Sequence, residues 1–214
     1  MGSDLQGRPK ALRATTAFYR IIQSARRDVT PDIVLIDIGP NLGAINRAAL
    51  LSSDTILMPL AADLFSLRGL RNLGPALREW QRDWQEVVAP RIPEQIEAHA
   101  GDVRPLGYVT MQPIVRVDRP LVSYQRWLER IPLVYDRCVL GNDPPSAAAD
   151  NEIATIRNYR SLMPLAHDAR KPMFDLRPAD GAMGSTLSYV QTCRSEFEEL
   201  TRKIDARLAA VATE

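Results

Sequence analysis

Asp32-Ile-Val-Leu-Ile-Asp37-Ile-Gly39-Pro40-Asn41-Leu-Gly43 is the stretch whose reading decides the fold. Four apolar residues run into an aspartate, a glycine-proline turn follows, and a helical pattern begins. A continuous apolar run of this length reads as a parallel strand buried on both faces. A carboxylate at the C-terminal end of such a strand sits where ligands bind in open α/β sheets. There Asp37 could hold a magnesium-bound water beside a phosphate. The competing reading is an ordinary turn or helix N-cap aspartate. The sequence holds no G-x-x-x-x-G-K-[S/T]. Its lysines are Lys10, Lys171 and Lys203, and none follows a glycine. One half of a nucleotide site is present without the half that grips phosphates.

Outward from that stretch, the pattern alternates strands and helices. Leu12–Arg27 carries apolar residues at three- and four-residue spacing, which predicts an amphipathic helix with arginines on its other face. Leu42–Leu51 reads as a short helix and Thr55–Leu60 as a second buried strand. Strand, helix, strand in that order is the signature of a parallel sheet. Phe65–Val88 predicts a long helix striped by Leu67, Leu70, Leu73, Leu77, Trp80 and Trp84. Leu106–Met111 predicts a third strand, Arg119–Arg130 a helix, Gly141–Asp150 a loop and Asn151–Leu165 a helix. Ser185–Ala210 predicts a long C-terminal helix. Residues 1–10 read as a flexible arm, and 11–214 as a single α/β domain without internal repeats.

Composition narrows the function. Hydrophobic content of 45% and charged content of 25% are ordinary for a globular protein. A net charge of +1 leaves any nucleic-acid contact to a local patch. Two cysteines and two isolated histidines make neither a disulfide framework nor a metal site. No apolar run approaches the roughly 18 residues of a membrane span, and no secretory leader is seen, so no membrane partner and a cytoplasmic location are expected. G-x-S-x-G, H-E-x-x-H, C-x-x-C and G-x-G-x-x-G are all missing. That argues against serine hydrolases, zinc enzymes and dinucleotide oxidoreductases.

Two further stretches are ambiguous. The loop Gly39–Gly43 could reorder around a γ-phosphate, or be a plain strand-to-helix connection. Residues 156–177 carry Arg157, Arg160, Arg170, Lys171 and Arg177 against Asp168 and Asp175. That basic excess suits a phosphate-backbone patch, and suits a solvated charged face equally. Arginine makes up 24 of the 27 basic residues. The bias fits bidentate phosphate contacts, and base composition of the genome produces it too.

Asp32–Leu50 resembles the second nucleotide-site motif of ParA/MinD-type ATPases: apolar strand, Asp, Pro-containing turn, Leu-Gly, then Asn-Ala-Leu. Asp54–Leu70 resembles the family's next segment, a strand ending in Pro-Leu and a Phe-x-x-x-Gly-Leu helix start. Leu106–Met111 is similar to its following strand. Lys171-Pro172 and Asp180-Gly181-Ala182 resemble its C-terminal segment. The match runs in register from about Ala11 onward.

The resemblance implies a mostly parallel sheet flanked by helices, P-loop NTPase-like and of the deviant Walker A class, incomplete at the N-terminus. It implies ATP and Mg2+, with Asp37 meeting the metal through water and Gly39 and Pro40 in a switch loop. Arg157 and Asn158 would lie by the nucleotide, and Arg157, Arg160, Arg170 and Lys171 are DNA-binding candidates. It implies a homodimer or a dimer with an intact relative, non-specific DNA and a partition adaptor protein as partners. The role implied is plasmid or chromosome partition.

The chain departs from the family by lacking the P-loop strand, its lysines and the first switch aspartate. It corresponds to about the C-terminal two-thirds of such an ATPase, and Met1 reads as an internal start. In the family the P-loop segment supplies the strand beside Ile33–Ile38, so that position is expected to stand unpaired here. No ATP hydrolysis by the chain alone is expected. The alternatives are a non-catalytic pseudo-ATPase that binds DNA or a partner, and a structural fragment with no function of its own.

Overall fold

A computed structural model describes residues 9–39, 41–112, 122–147 and 150–213. The chain divides into two compact units. The first comprises 1–56, 69–105 and 135–145, and the second 57–68, 106–134 and 146–214.

Among the described residues the sheet is three-stranded, open and all-parallel, in the order β1 (Thr55–Ala61), β2 (Arg104–Met111), β3 (Glu152–Ile156). β2 pairs with β3 in register Val109↔Ala154, Thr110↔Thr155 and Met111↔Ile156. Helices flank it, as the α/β reading predicts. Gly107 in β2 has φ +137°, and a Cβ there would lie 2.6 Å from the Asn151 carbonyl oxygen. Glycine at that position lets β2 approach β3 closely enough for Tyr108 N–H to bond Asn151 O at 2.9 Å.

In the second unit the long helix α8 (Ser185–Ala212) covers the sheet. Phe197, Leu200, Ile204, Leu208 and Val211 recur every three or four residues and pack on Leu106, Val109, Ile153 and Ile156. The N-terminal half of α8 packs with α7 (Leu162–Ala169) in another cluster built on Tyr159, Leu162, Leu176, Val190 and Cys193. α5 (Val122–Leu128) and most of α6 (Ile131–Tyr135) also belong to this unit.

The first unit is helical. α1 (Pro9–Thr15) and α2 (Ala17–Val29) meet at Thr16, whose buried hydroxyl donates to Leu12 O at 3.0 Å. α3 (Ala44–Leu51) buries Asn46, Ala48, Ala49, Leu50 and Leu51. α4 (Leu64–Asp83), which belongs to this unit from Gly69 on, runs straight on into the π-helical turn Trp84–Val88. Leu67, Leu70, Leu77, Trp80 and Trp84 of the predicted stripe are buried. Arg78 closes the π-helical turn at 136–140 by donating to the Cys138 and Val139 carbonyls.

Three readings of the sequence are corrected. Ile33–Ile38 is not a strand: it has no ladder partner among the described residues, and Ile33, Val34 and Leu35 are 52%, 45% and 92% exposed. A strand exists by pairing, and an apolar sequence without a neighbour forms none. Asn151–Leu165 is not one helix. Its first part is β3, whose Ile153, Thr155 and Ile156 suit a pleated ladder. α7 then starts at Leu162, with Pro164 in its first turn, where a missing N–H costs nothing. Finally, Leu12–Arg27 is not one helix: it is divided between α1 and α2, and Ile21 on α2 is 64% exposed.

Candidate functional site

The loop after Asp37 is built from two asparagines. Asn41 Oδ1 accepts the Gly43 N–H at 3.0 Å, an Asx-type turn that ends where α3 begins. Asn46, one turn into α3 and 8% exposed, sends its Nδ2 back to Gly39 O at 2.7 Å and Asn41 O at 2.8 Å. One side-chain amide thereby satisfies two loop carbonyls and fixes the path from Gly39 to the helix. Asp37 lies two residues before this held loop, with its side chain exposed. Pro40 lies outside the described residues.

Asp37 presents one exposed carboxylate. Among the described residues no three His, Cys, Asp or Glu side chains gather as a metal site. Magnesium keeps several waters and takes one or two carboxylates together with substrate phosphates. A lone exposed carboxylate beside a fixed loop fits that donor set only as one contact to a metal that phosphates hold.

The other candidates lie in the second unit. Arg157 follows β3 directly, and its Nε meets Glu196 Oε1 of α8 at 2.8 Å. Asn158 is partly buried, and its Oδ1 has no hydrogen-bond partner among the described residues. Burial pushes the neighbouring Tyr159 phenol up, and the Glu196 carboxylate adds to the shift. Arg160 is exposed. Arg170 ends α7 in the left-handed region at φ 51°.

Lys171 Nζ bonds both Asp180 oxygens at 2.9 Å, and Asp180 Oδ2 also accepts the Arg177 N–H at 3.0 Å. The Lys171 ammonium, with the Arg177 amide, holds the Asp180 carboxyl below the usual carboxylate range. Two of the four DNA-binding candidates, Arg157 and Lys171, are thus held in ion pairs within their own unit.

Asn46 enters the sequence reading only as the Asn of the Asn-Ala-Leu pattern, and its hold on the loop is what that reading passed over. Its signal is a polar amide on the buried face of an otherwise apolar helix, five residues after another asparagine.

No helix among the described residues is long and apolar enough to cross a membrane. No curated protein matches the chain. Protein DIP2308 from Corynebacterium diphtheriae, known from a crystal structure, is similar at 21% identity and a TM-score of 0.48. The alignment covers 72% of this chain and 52% of that one, so the chain spans about half the length of this relative. Residues 4–89, which contain Asp37, the Asn46-held loop and all of α4, match the family described as an AAA domain.

Proposed function

We propose that this chain serves in a ParA/MinD-like P-loop ATPase of the partition type. It contributes the magnesium-site carboxylate Asp37 and the loop Gly39–Gly43, and it does not turn over ATP by itself. The observation that carries the reading is the AAA-domain match over 4–89, a span that includes Asp37 and the loop fixed by Asn46. Phosphoryl transfer in P-loop enzymes rests on positioning and on charge stabilisation by the phosphate-cradling groups. These 214 residues contain no such cradle, and a carboxylate cannot replace it.

Magnesium-dependent ATP turnover is the test. The chain alone is expected to stay at the blank rate. Mixing it with a P-loop-bearing relative is expected to change that relative's turnover, and Asp37→Ala to remove the change. Turnover by the chain alone that disappears in Asp37→Ala would overturn the inactivity. A relative unaffected at every mixing ratio would overturn the partnership.

A second reading, a non-catalytic DNA-binding module, draws support from exposed Arg160 and Arg170 in the basic tail. If they touch phosphates, the Arg160→Ala/Arg170→Ala pair should flatten the log–log salt slope of binding by about 2. An unchanged slope removes this reading.

A further inference from the structure

We propose that Glu196 is an internal counter-ion that keeps Arg157 off nucleic-acid phosphates. The inference rests on the DNA-binding reading of the basic tail, and it adds a limit that the fold places on that surface.

Arg157 is the first residue beyond β3. Glu196, on α8, directs both carboxylate oxygens at it. Its Oε1 meets the guanidinium Nε at 2.8 Å, and its Oε2 accepts the backbone N–H at 3.4 Å. The two residues are 39 apart in the sequence, so the docking of α8 makes the contact. Phe197, beside Glu196, packs against both core clusters of the second unit, which fixes where the carboxylate stands. The Arg157 side chain is 59% exposed and that of Glu196 only 22%. A reachable cation is thus tied to a sheltered anion.

That asymmetry decides which partner wins. An ordinary surface pair is held loosely, because both side chains give up freedom to meet. Here packing has already placed the acid. It lies beside the Tyr159 phenol and the Cys193 thiol, neither of which carries a positive charge. Among the described residues Arg157 is the cation that Glu196 pairs with. Moving the guanidinium to a phosphate would leave a sheltered carboxylate without a counter-charge, which is costly. The phosphate would also approach that carboxylate, like charge to like. Arg157 therefore adds nothing to phosphate binding while Glu196 is in place. The basic tail binds through fewer cations than it carries.

The test titrates the full 214-residue chain with a short mixed-sequence DNA duplex over a range of salt concentrations. Each cation placed on a phosphate steepens the log–log salt slope by about 0.9. Glu196→Gln keeps an oxygen for the Arg157 N–H and loses the charge. It should steepen the slope by about 0.9 and tighten binding about fivefold. Arg157→Ala alone should leave the slope as it is, and Glu196→Gln/Arg157→Ala should return it to the value of the unaltered chain. An unchanged slope in Glu196→Gln overturns the proposal even where urea stability falls, because a merely structural role shows only in stability. A slope flattened by Arg157→Ala alone also overturns it, because Arg157 would then already sit on the DNA.

A second arm needs no DNA. Its probe is inorganic pyrophosphate and its readout the Arg157 Nε–H resonance. That resonance should shift at about fivefold lower pyrophosphate in Glu196→Gln than in the unaltered chain. If neither protein binds DNA, the DNA reading falls and this arm alone decides the masking. Equal shifts in both proteins overturn it.

Discussion

Acid should loosen the first unit through His99. Its ring is 7% exposed, and neither ring nitrogen has a hydrogen-bond partner among the described residues. It stacks on Trp84 with centroids 3.8 Å apart, and Tyr19 meets its edge at 6.0 Å. Trp84 Nε1 donates to the His99 carbonyl at 3.3 Å, so the backbone is tied to the same ring. Burial lowers the imidazole pKa from 6.5 to about 4. The unfolded chain therefore takes up the proton first. The stability is fully present above pH 6.5 and falls as pH drops from 6.5 towards 4.

At about 1.4 kcal/mol per pH unit the ceiling is about 3 kcal/mol, and solvent screening of the ring brings the expectation to about 1–2 kcal/mol. Urea unfolding followed by tryptophan fluorescence at pH 7 and pH 4.5 measures it. His99→Phe keeps an aromatic ring on Trp84 and the backbone bond, but binds no proton. Carboxylates titrate alike in both proteins, so the comparison isolates His99. The variant's loss of stability between the two pH values should be smaller by about 1–2 kcal/mol. Equal losses in both proteins would refute the reasoning, and the orphaned nitrogens would then have to be solvated.

Two further outcomes follow from the same geometry. Gly101 has φ +76°, and a Cβ there would lie 2.1 Å from Trp84 Cδ1. Gly101→Ala should cost about 2–4 kcal/mol in denaturant unfolding, from backbone strain and overpacking together. Asn46→Ala leaves the Gly39 and Asn41 carbonyls without their donor. It should cost about 1–2 kcal/mol and speed amide exchange across 41–43, while the exchange of β2 and β3 stays as it was.

The elements that periodicity announces are those whose burial is decided within themselves. Along α4 the leucines and tryptophans return every three or four residues, and the helix forms with that stripe buried. β1 and β2 are apolar runs with short flanks, and each has a neighbour to pair with. β3 is harder to read: E-I-A-T-I is too short to separate strand from helix by period, and its pairing with β2 settles the matter. The candidate site divides in the same way. Asp37 and the glycines of its loop are visible as a local pattern, whereas the amide that holds the loop comes from the next helix. Arg157 reads as a free cation until α8 brings Glu196 beside it from 39 residues away.

Ile33–Ile38 marks the boundary between the two kinds of information. Sequence by itself determined the composition of that stretch, apolar and β-branched with an aspartate at each end of its four-residue core, and so its capacity to pair. It also determined the α/β alternation, because side-chain period depends only on residue order. Tertiary structure decided whether that capacity is used. A strand is a relation between two backbones, and among the described residues the partner is missing. The run that reads most clearly as a buried strand is therefore left exposed, with Asp37 at its end.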